Sequence, residues 1–122
     1  MIEQHVTSRQ LSEALAKAGM PQGQSIFVWK GGLLMLREDV SFLGPTPIDA
    51  FLASELGESL PCVILHDKYG TLYLKGANIG GAWEYGYEQV DGTTNTKWWQ
   101  SEGNEAEVRG KLYLYLKEKG LV

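Results

Sequence analysis

A chain of 122 residues, 43% hydrophobic and 21% charged, has enough apolar material to bury roughly two-thirds of its unfolded surface, so residues 1–122 are expected to form one domain that needs no metal or disulfide staple. A net charge of −4 with no Lys/Arg cluster sets the chain against phosphate backbones and disfavours nucleic acid as a partner. No apolar run approaches the ~18 residues of a membrane span, and the lone Cys62 forms no internal disulfide, which fits a reducing cytoplasm.

The opening Met1-Ile2-Glu3-Gln4-His5 lacks a basic stretch ahead of an apolar one, so no secretory signal is expected. A first helix is predicted over residues 8–18, because Leu11, Ala14, Leu15 and Ala18 recur at helical spacing. Thr7 with Gln10 reads as its capping box, Val6 as a staple against Leu11, and Gly19-Met20-Pro21 as its stop. Two apolar strands, Ser25–Lys30 and Leu33–Arg37, flank Gly31-Gly32, which supplies a tight hairpin turn. Both arms are apolar enough that some cover is expected over each.

Gly44-Pro45-Thr46-Pro47 breaks the chain direction. Thr46 reads as an N-cap, Pro47 as the first helical position and Asp49 as a first-turn acid, which predicts a second helix with Ile48, Phe51, Leu52 and Leu56 on its apolar side and Gly57 at its end. A buried strand Cys62–His66, with Cys62 as a small core hydrophobe, turns at Asp67–Gly70 and returns through Thr71–Lys75. Ala77–Gly81 reads as a flexible connection. Ala82–Val90 alternates, with Trp83, Tyr85 and Tyr87 on one face and Glu84, Gly86 and Glu88 on the other. Asp91-Gly92 signals another hairpin, whose partner arm is Thr94–Gln100.

Residues 105–119 close the chain. Leu112–Leu116 alternates like a strand, but Val108, Leu112, Tyr115 and Leu116 stand at helical spacing between Glu- and Lys-rich flanks and before Gly120, which favours a helix. Gly110 inside it implies a close approach from a neighbour. The order α-β-β-α-β-β-β-β-α, joined by short hairpins, predicts an α+β domain with about three helices on a mainly antiparallel, curved sheet.

Chemistry-bearing patterns are sparse. His5 and His66 have no ligand-spaced partners, so no metal site and no cofactor site is assigned. Gly31-Gly32 and Gly80-Gly81 match neither a phosphate loop nor a dinucleotide fingerprint. His66-Asp67 reads as a strand end and its turn; as an acid–base pair it would make the chain a small hydrolase-like enzyme. Glu84 and Glu88 stand ~13 Å apart along a strand, too far for a retaining carboxylate pair, and read as a solvated face. The aromatic set Trp83, Tyr85, Tyr87, Trp98 and Trp99 admits two readings, the sheet's own core or a contact platform, and is the candidate interaction surface.

Leu11–Gln22 followed by Ile26-Phe27-Val28-Trp29, then Pro45–Leu52 and Leu112–Leu116, resembles a small family of phage and prophage proteins of unknown function, although Met20 stands where that family more often has an aromatic. The resemblance carries no activity. It implies a small protein made in a bacterial cytoplasm from a mobile element. Together these readings predict a non-enzymatic module that binds a host or phage protein or a second copy of itself, with no membrane partner. The small enzyme and a homo-oligomeric structural component with the aromatic strand as its seam are the alternatives.

Overall fold

Two adjacent hydroxyl residues, Thr7 and Ser8, compete to start the first helix, and long-range pairing decides between them. In the computed structural model, which describes residues 2–41, 43–57, 59–89 and 98–122, helix α1 runs Arg9–Lys17 with Ser8 as its cap, its hydroxyl accepting from the Leu11 N–H at 3.2 Å. Thr7 is instead buried and tied to residue 51: its N–H donates to the Phe51 carbonyl at 2.9 Å, and its Oγ1 accepts from the Phe51 N–H at 3.0 Å. The expected capping box at Thr7 and Gln10 is therefore replaced. The bond back to the cap residue comes from the last helix, where the Glu107 carboxylate accepts from the Ser8 N–H. At the other end Gly19 has φ +95° and Met20 N–H reaches the Leu15 carbonyl at 3.0 Å, the expected left-handed stop.

Strands β1 (Phe27–Lys30) and β2 (Leu33–Leu36) form the expected hairpin, with Lys30 opposite Leu33 and Gly31 at φ +61°. The predicted second helix is only partly present. Ile48–Ala50 is strand β3, antiparallel to β1 with Trp29 opposite Ile48 and Phe27 opposite Ala50, and the helix α2 is confined to Ala53–Gly57. Local helix chemistry at Pro47-Ile48-Asp49 is overridden by tertiary partners. The buried Asp49 carboxylate receives the N–H groups of Gly23, Gln24 and Ser25 at 3.0–3.3 Å and the Arg37 guanidinium, while its own N–H goes to Gln22. Helix α2 then starts with the Leu52 N–H held by Glu55 Oε1 at 2.8 Å and ends at Gly57, as expected.

The first sheet has the order β2-β1-β3. Its outer strands both run antiparallel to β1 and hence parallel to each other, so the chain between Leu36 and Ile48 crosses β1, where Lys30 Nζ reaches the carbonyls of Ser41 and Leu43. The second sheet is β4 (Val63–His66), β5 (Gly70–Ile79), β6 (Ala82–Glu88) and β7 (Trp99–Glu102), antiparallel throughout and in that order. Here β5 continues through Ala77–Ile79, where a flexible connection was expected. Gly80 and Gly81, both at positive φ, make a two-residue turn that sets Ile79 opposite Ala82. The Asp91-Gly92 turn and Thr94–Lys97 lie outside the described residues.

Residues Glu105–Glu118 are helix α3, with Asn104 as its cap and a Gly120 stop matching that of α1, so the alternating Leu112–Leu116 run is helical. Helix α3 packs against α1, α2, β6 and β7, and α1 packs against β3, so the two helices form a layer joining the sheets. Gly110 sits where they meet: a Cβ there would stand 2.7 Å from Leu11 Cδ2, the close approach that its place in the helix implied. The core gathers Leu11, Leu15, Leu56, Leu72, Tyr87, Leu112 and Leu116 in this layer. Fold class is α+β, built from hairpins as predicted, with the strands divided between two sheets and one strand more than expected.

Candidate functional site

Alternation along β6 puts Trp83, Tyr85 and Tyr87 on one face, as expected, and that face is the underside of α3. Tyr87 is fully buried and its hydroxyl donates to the Pro61 carbonyl at 2.6 Å. Burial, with Cys62 nearby, pushes its pKa well above the ordinary tyrosine value. Tyr85 is also buried, under Arg109, whose guanidinium lies 4.8 Å from the ring centre. Its hydroxyl donates to Glu105 Oε2 and accepts from Arg109 Nη2 at 2.9 Å, while the same nitrogen reaches Glu105 Oε2 at 2.9 Å. Burial and the neighbouring Glu105 raise the Tyr85 pKa. Burial also opposes the Arg109 charge, but the Tyr85 hydroxyl and Glu105 outweigh it, so the Arg109 pKa is raised as well. Gly76, opposite Tyr85 on β5, leaves room for the ring: a Cβ there would come within 2.2 Å of it.

Of the aromatic set, then, Tyr85 and Tyr87 are inside. Trp83 is half-buried and stacked on Tyr85 at 6.2 Å; Trp99 is half-buried opposite Tyr85 in the β6–β7 register; Trp98 is half-buried just ahead of β7. Strand β6 is flanked on both sides by β5 and β7, so its backbone offers no edge. The Tyr85–Glu105–Arg109 cluster was invisible to local pattern, because its members meet across 20 and 24 positions of chain. It ties α3 to β6 and, through Arg109 Nη1 on the Ala53 carbonyl at 3.2 Å, to α2.

His66 is held by its own turn. Its Nδ1 accepts the N–H groups of Lys68 at 3.0 Å and Tyr69 at 3.2 Å, and its ring lies 4.9 Å from that of Tyr69. Cys62 is exposed rather than buried: it precedes the strand, after Pro61, and its carbonyl pairs with the Leu74 N–H. Glu84 accepts from Gln100 across β6–β7, and Glu88 pairs with Lys75 at 2.8 Å across β5–β6, so the two carboxylates serve separate cross-strand contacts. Among the described residues no three His, Cys, Asp or Glu side chains gather in a metal-binding group, and no helix is long and apolar enough to cross a membrane.

Open grooves line the surface of the described residues, and two of them bear on the sites above. One, of about 570 Å³, lies among Met20, Pro21, Gln24, Ser25, Phe51 and Glu55. Its carboxylate is already committed: Glu55 holds the N–H groups of Leu52 and Ile26. The other, of about 550 Å³, is apolar and runs along β2, lined by Ile2, Phe27, Leu34, Met35 and Leu36 with Glu3 at its rim. Cover was expected over both arms of the first hairpin. Val28 on β1 has it, but on β2 Leu33 is 67% exposed and Leu36 36%. Because β2 has β1 on one side only, the Leu-Leu-Met-Leu strand is a sheet edge.

The Arg37 N–H donates to the Ile26 carbonyl at 2.8 Å, which marks Ile26–Arg37 as a hydrogen-bonded pair. Alternation then turns Leu33 and Met35 toward β1 and sends the N–H and C=O groups of Leu34 and Leu36 outward. The Leu36 carbonyl caps the short 3-10 helix Arg37–Asp39 that follows; outside that helix, no hydrogen bond between described residues reaches the outer edge. Natural sheets blunt such edges with charge, proline or bulges; β2 carries none of these, and its pairing with β1 is continuous. Sequence alone showed an apolar strand here, and only the sheet order makes it an edge. Compared with protein-family models, with curated proteins and with solved structures, the chain matches none of them.

Proposed function

We propose that this chain is a non-enzymatic protein-interaction module, and that its binding element is the open edge of β2, which takes up an extended segment of a protein partner. The carrying observation is that edge: four apolar residues, with the N–H and C=O of Leu34 and the N–H of Leu36 turned outward, beside an apolar groove. Strand addition suits it, because main-chain hydrogen bonds supply affinity and the groove reads alternate side chains. The state of the polar residues supports the same reading. Asp49, Glu55, Glu105 and Arg109 hold backbone or one another, and His66 Nδ1 holds a turn, so the groups that could do chemistry serve the fold. The setting, a bacterial cytoplasm and a phage or prophage gene, belongs to the proposal on the strength of the sequence resemblance.

The test is site-specific photo-crosslinking in cells, with the photoreactive residue placed at Leu33 beside the edge or at Thr71 on β5. The reading expects a polypeptide adduct from position 33 that disappears when Met35 is changed to Lys, and no such adduct from position 71. Equal labelling at the two positions, or none at either, contradicts it.

A further inference from the structure

We infer that the groove of about 570 Å³ between the Met20-Pro21 stop of α1 and helix α2 is a second binding site, and that it takes a primary ammonium on an unbranched aliphatic stem, the chemistry of a lysine side chain. The site shares no lining residue with the groove along β2, so it goes beyond the proposed function and does not depend on it.

The fold fixes the polar groups of this groove without using them up. Glu55 Oε1 takes the Leu52 N–H at 2.8 Å and Oε2 takes the Ile26 N–H at 3.2 Å. Those two bonds orient the carboxylate, and since a carboxylate offers about four acceptor positions, it keeps some open. Ser25 is set beside it by its backbone: its N–H donates to Asp49 at 3.2 Å and its carbonyl accepts from Arg37 Nε at 2.7 Å. This anchorage leaves Ser25 only 3% exposed, yet no described residue hydrogen-bonds its hydroxyl, which keeps its small opening on the groove. A buried hydroxyl without a bond costs stability unless a partner comes from outside the fold. Ser54, exposed and adjoining Glu55, adds a second hydroxyl that no described residue engages.

Charge and donor count select the ligand. Among the described residues no Lys, Arg or His nitrogen stands within 4 Å of Glu55, and Arg37 and Arg109 are paired with Asp49 and Glu105. A recessed carboxylate without a counter-ion repels anions and draws cations. An ammonium brings three donors and no acceptor, and Glu55, Ser25 and Ser54 all offer acceptors to it. A neutral alcohol brings one donor and no charge. Met20 and Phe51, 4% and 5% exposed, supply an apolar wall along which a methylene stem can lie.

Amide NMR on the full chain reads the site directly, because the Ile26 and Leu52 N–H groups are bonded to Glu55. At fixed ionic strength, n-butylammonium and Nα-acetyl-lysine methylamide should each shift these amides saturably, with Kd on the order of 1–10 mM. n-Butanol and the Nε-acetylated lysine amide should not. Binding of both cations assigns the site to protein lysine as well as free amines, and binding of butylammonium alone assigns it to free amines. E55Q should weaken binding at least about tenfold. S25A should weaken it at least about threefold while leaving urea unfolding no less favourable, because the hydroxyl it removes bonds to no described residue. E38Q, in the adjoining groove, should leave binding unchanged.

Shifts that fail to saturate, that the neutral analogues reproduce, or that survive E55Q overturn the site. If E55Q does not fold, S25A decides: a folded S25A with unchanged affinity overturns it as well.

Discussion

Tyr87 shows how much one buried hydroxyl contributes to this fold. It is neutral in the core and bonded to the Pro61 carbonyl, and its pKa lies above the value of 10.0 that it would have in the unfolded chain. Unfolding above pH 10 therefore releases a proton that folding retains. The stability this residue supplies is complete below pH 10 and falls as pH rises beyond it, by up to about 1.4 kcal/mol per unit. Tyr87→Phe should remove that share of the alkaline slope and, by leaving the Pro61 carbonyl unpaired, should cost about 1 kcal/mol at neutral pH, both readable from urea unfolding at a series of pH values. Two glycines give a sharper contrast. A methyl on Gly76 meets the rigid Tyr85 ring at 2.2 Å, with Arg109 packed behind it, whereas a methyl on Gly110 meets the free end of Leu11 at 2.7 Å. Overpacking costs about 1–3 kcal/mol, and replacing Gly by Ala returns up to about 1 kcal/mol of backbone preference. Gly76→Ala should therefore destabilise by about 2 kcal/mol and Gly110→Ala by no more than about 1 kcal/mol in the same assay. Equal losses would remove the distinction between ring and methyl.

At the scale of elements, what could be read from sequence was what is chemically local. The glycine stops of α1 and α3, the Gly31-Gly32 turn and the alternation along β6 each depend on residues within a few positions, and all are present. What failed depended on distant partners. Ile48–Ala50 has the local marks of a helix start, yet Asp49 is claimed by amides some 25 positions earlier and by Arg37, and the segment becomes a strand. Thr7 and Ser8 are equivalent caps until Phe51 takes Thr7. The candidate site divided the same way: the aromatic row was legible, while Glu105 and Arg109 beside Tyr85, and the openness of β2, follow from sheet order and helix placement. The link from Glu107 to Ser8 is testable in these terms. Although 99 residues separate them, Glu107→Ala should cost about 1 kcal/mol, the worth of a helix cap, and should speed amide exchange at Ser8. An unchanged Ser8 amide would mean that α1 is capped by Ser8 alone.

For the whole molecule, the first sheet ends in an apolar edge strand, while the buried Thr7, Ser12 and Asp49 are tied into the fold by hydrogen bonds. The helical layer joins the two sheets and covers Tyr85 and Tyr87, leaving Trp83 half-buried; under the proposed function, recognition falls to the β2 edge. Site-resolved hydrogen exchange across β2, compared between the free chain and its complex with the polypeptide captured at position 33, addresses this most directly. The Leu33 and Met35 amides, turned toward β1, should be protected in both. Those of Leu34 and Leu36 should exchange freely in the free chain and gain protection in the complex. If the Leu34 and Leu36 amides are already protected in the free chain, or remain unprotected in the complex, β2 is not the binding edge.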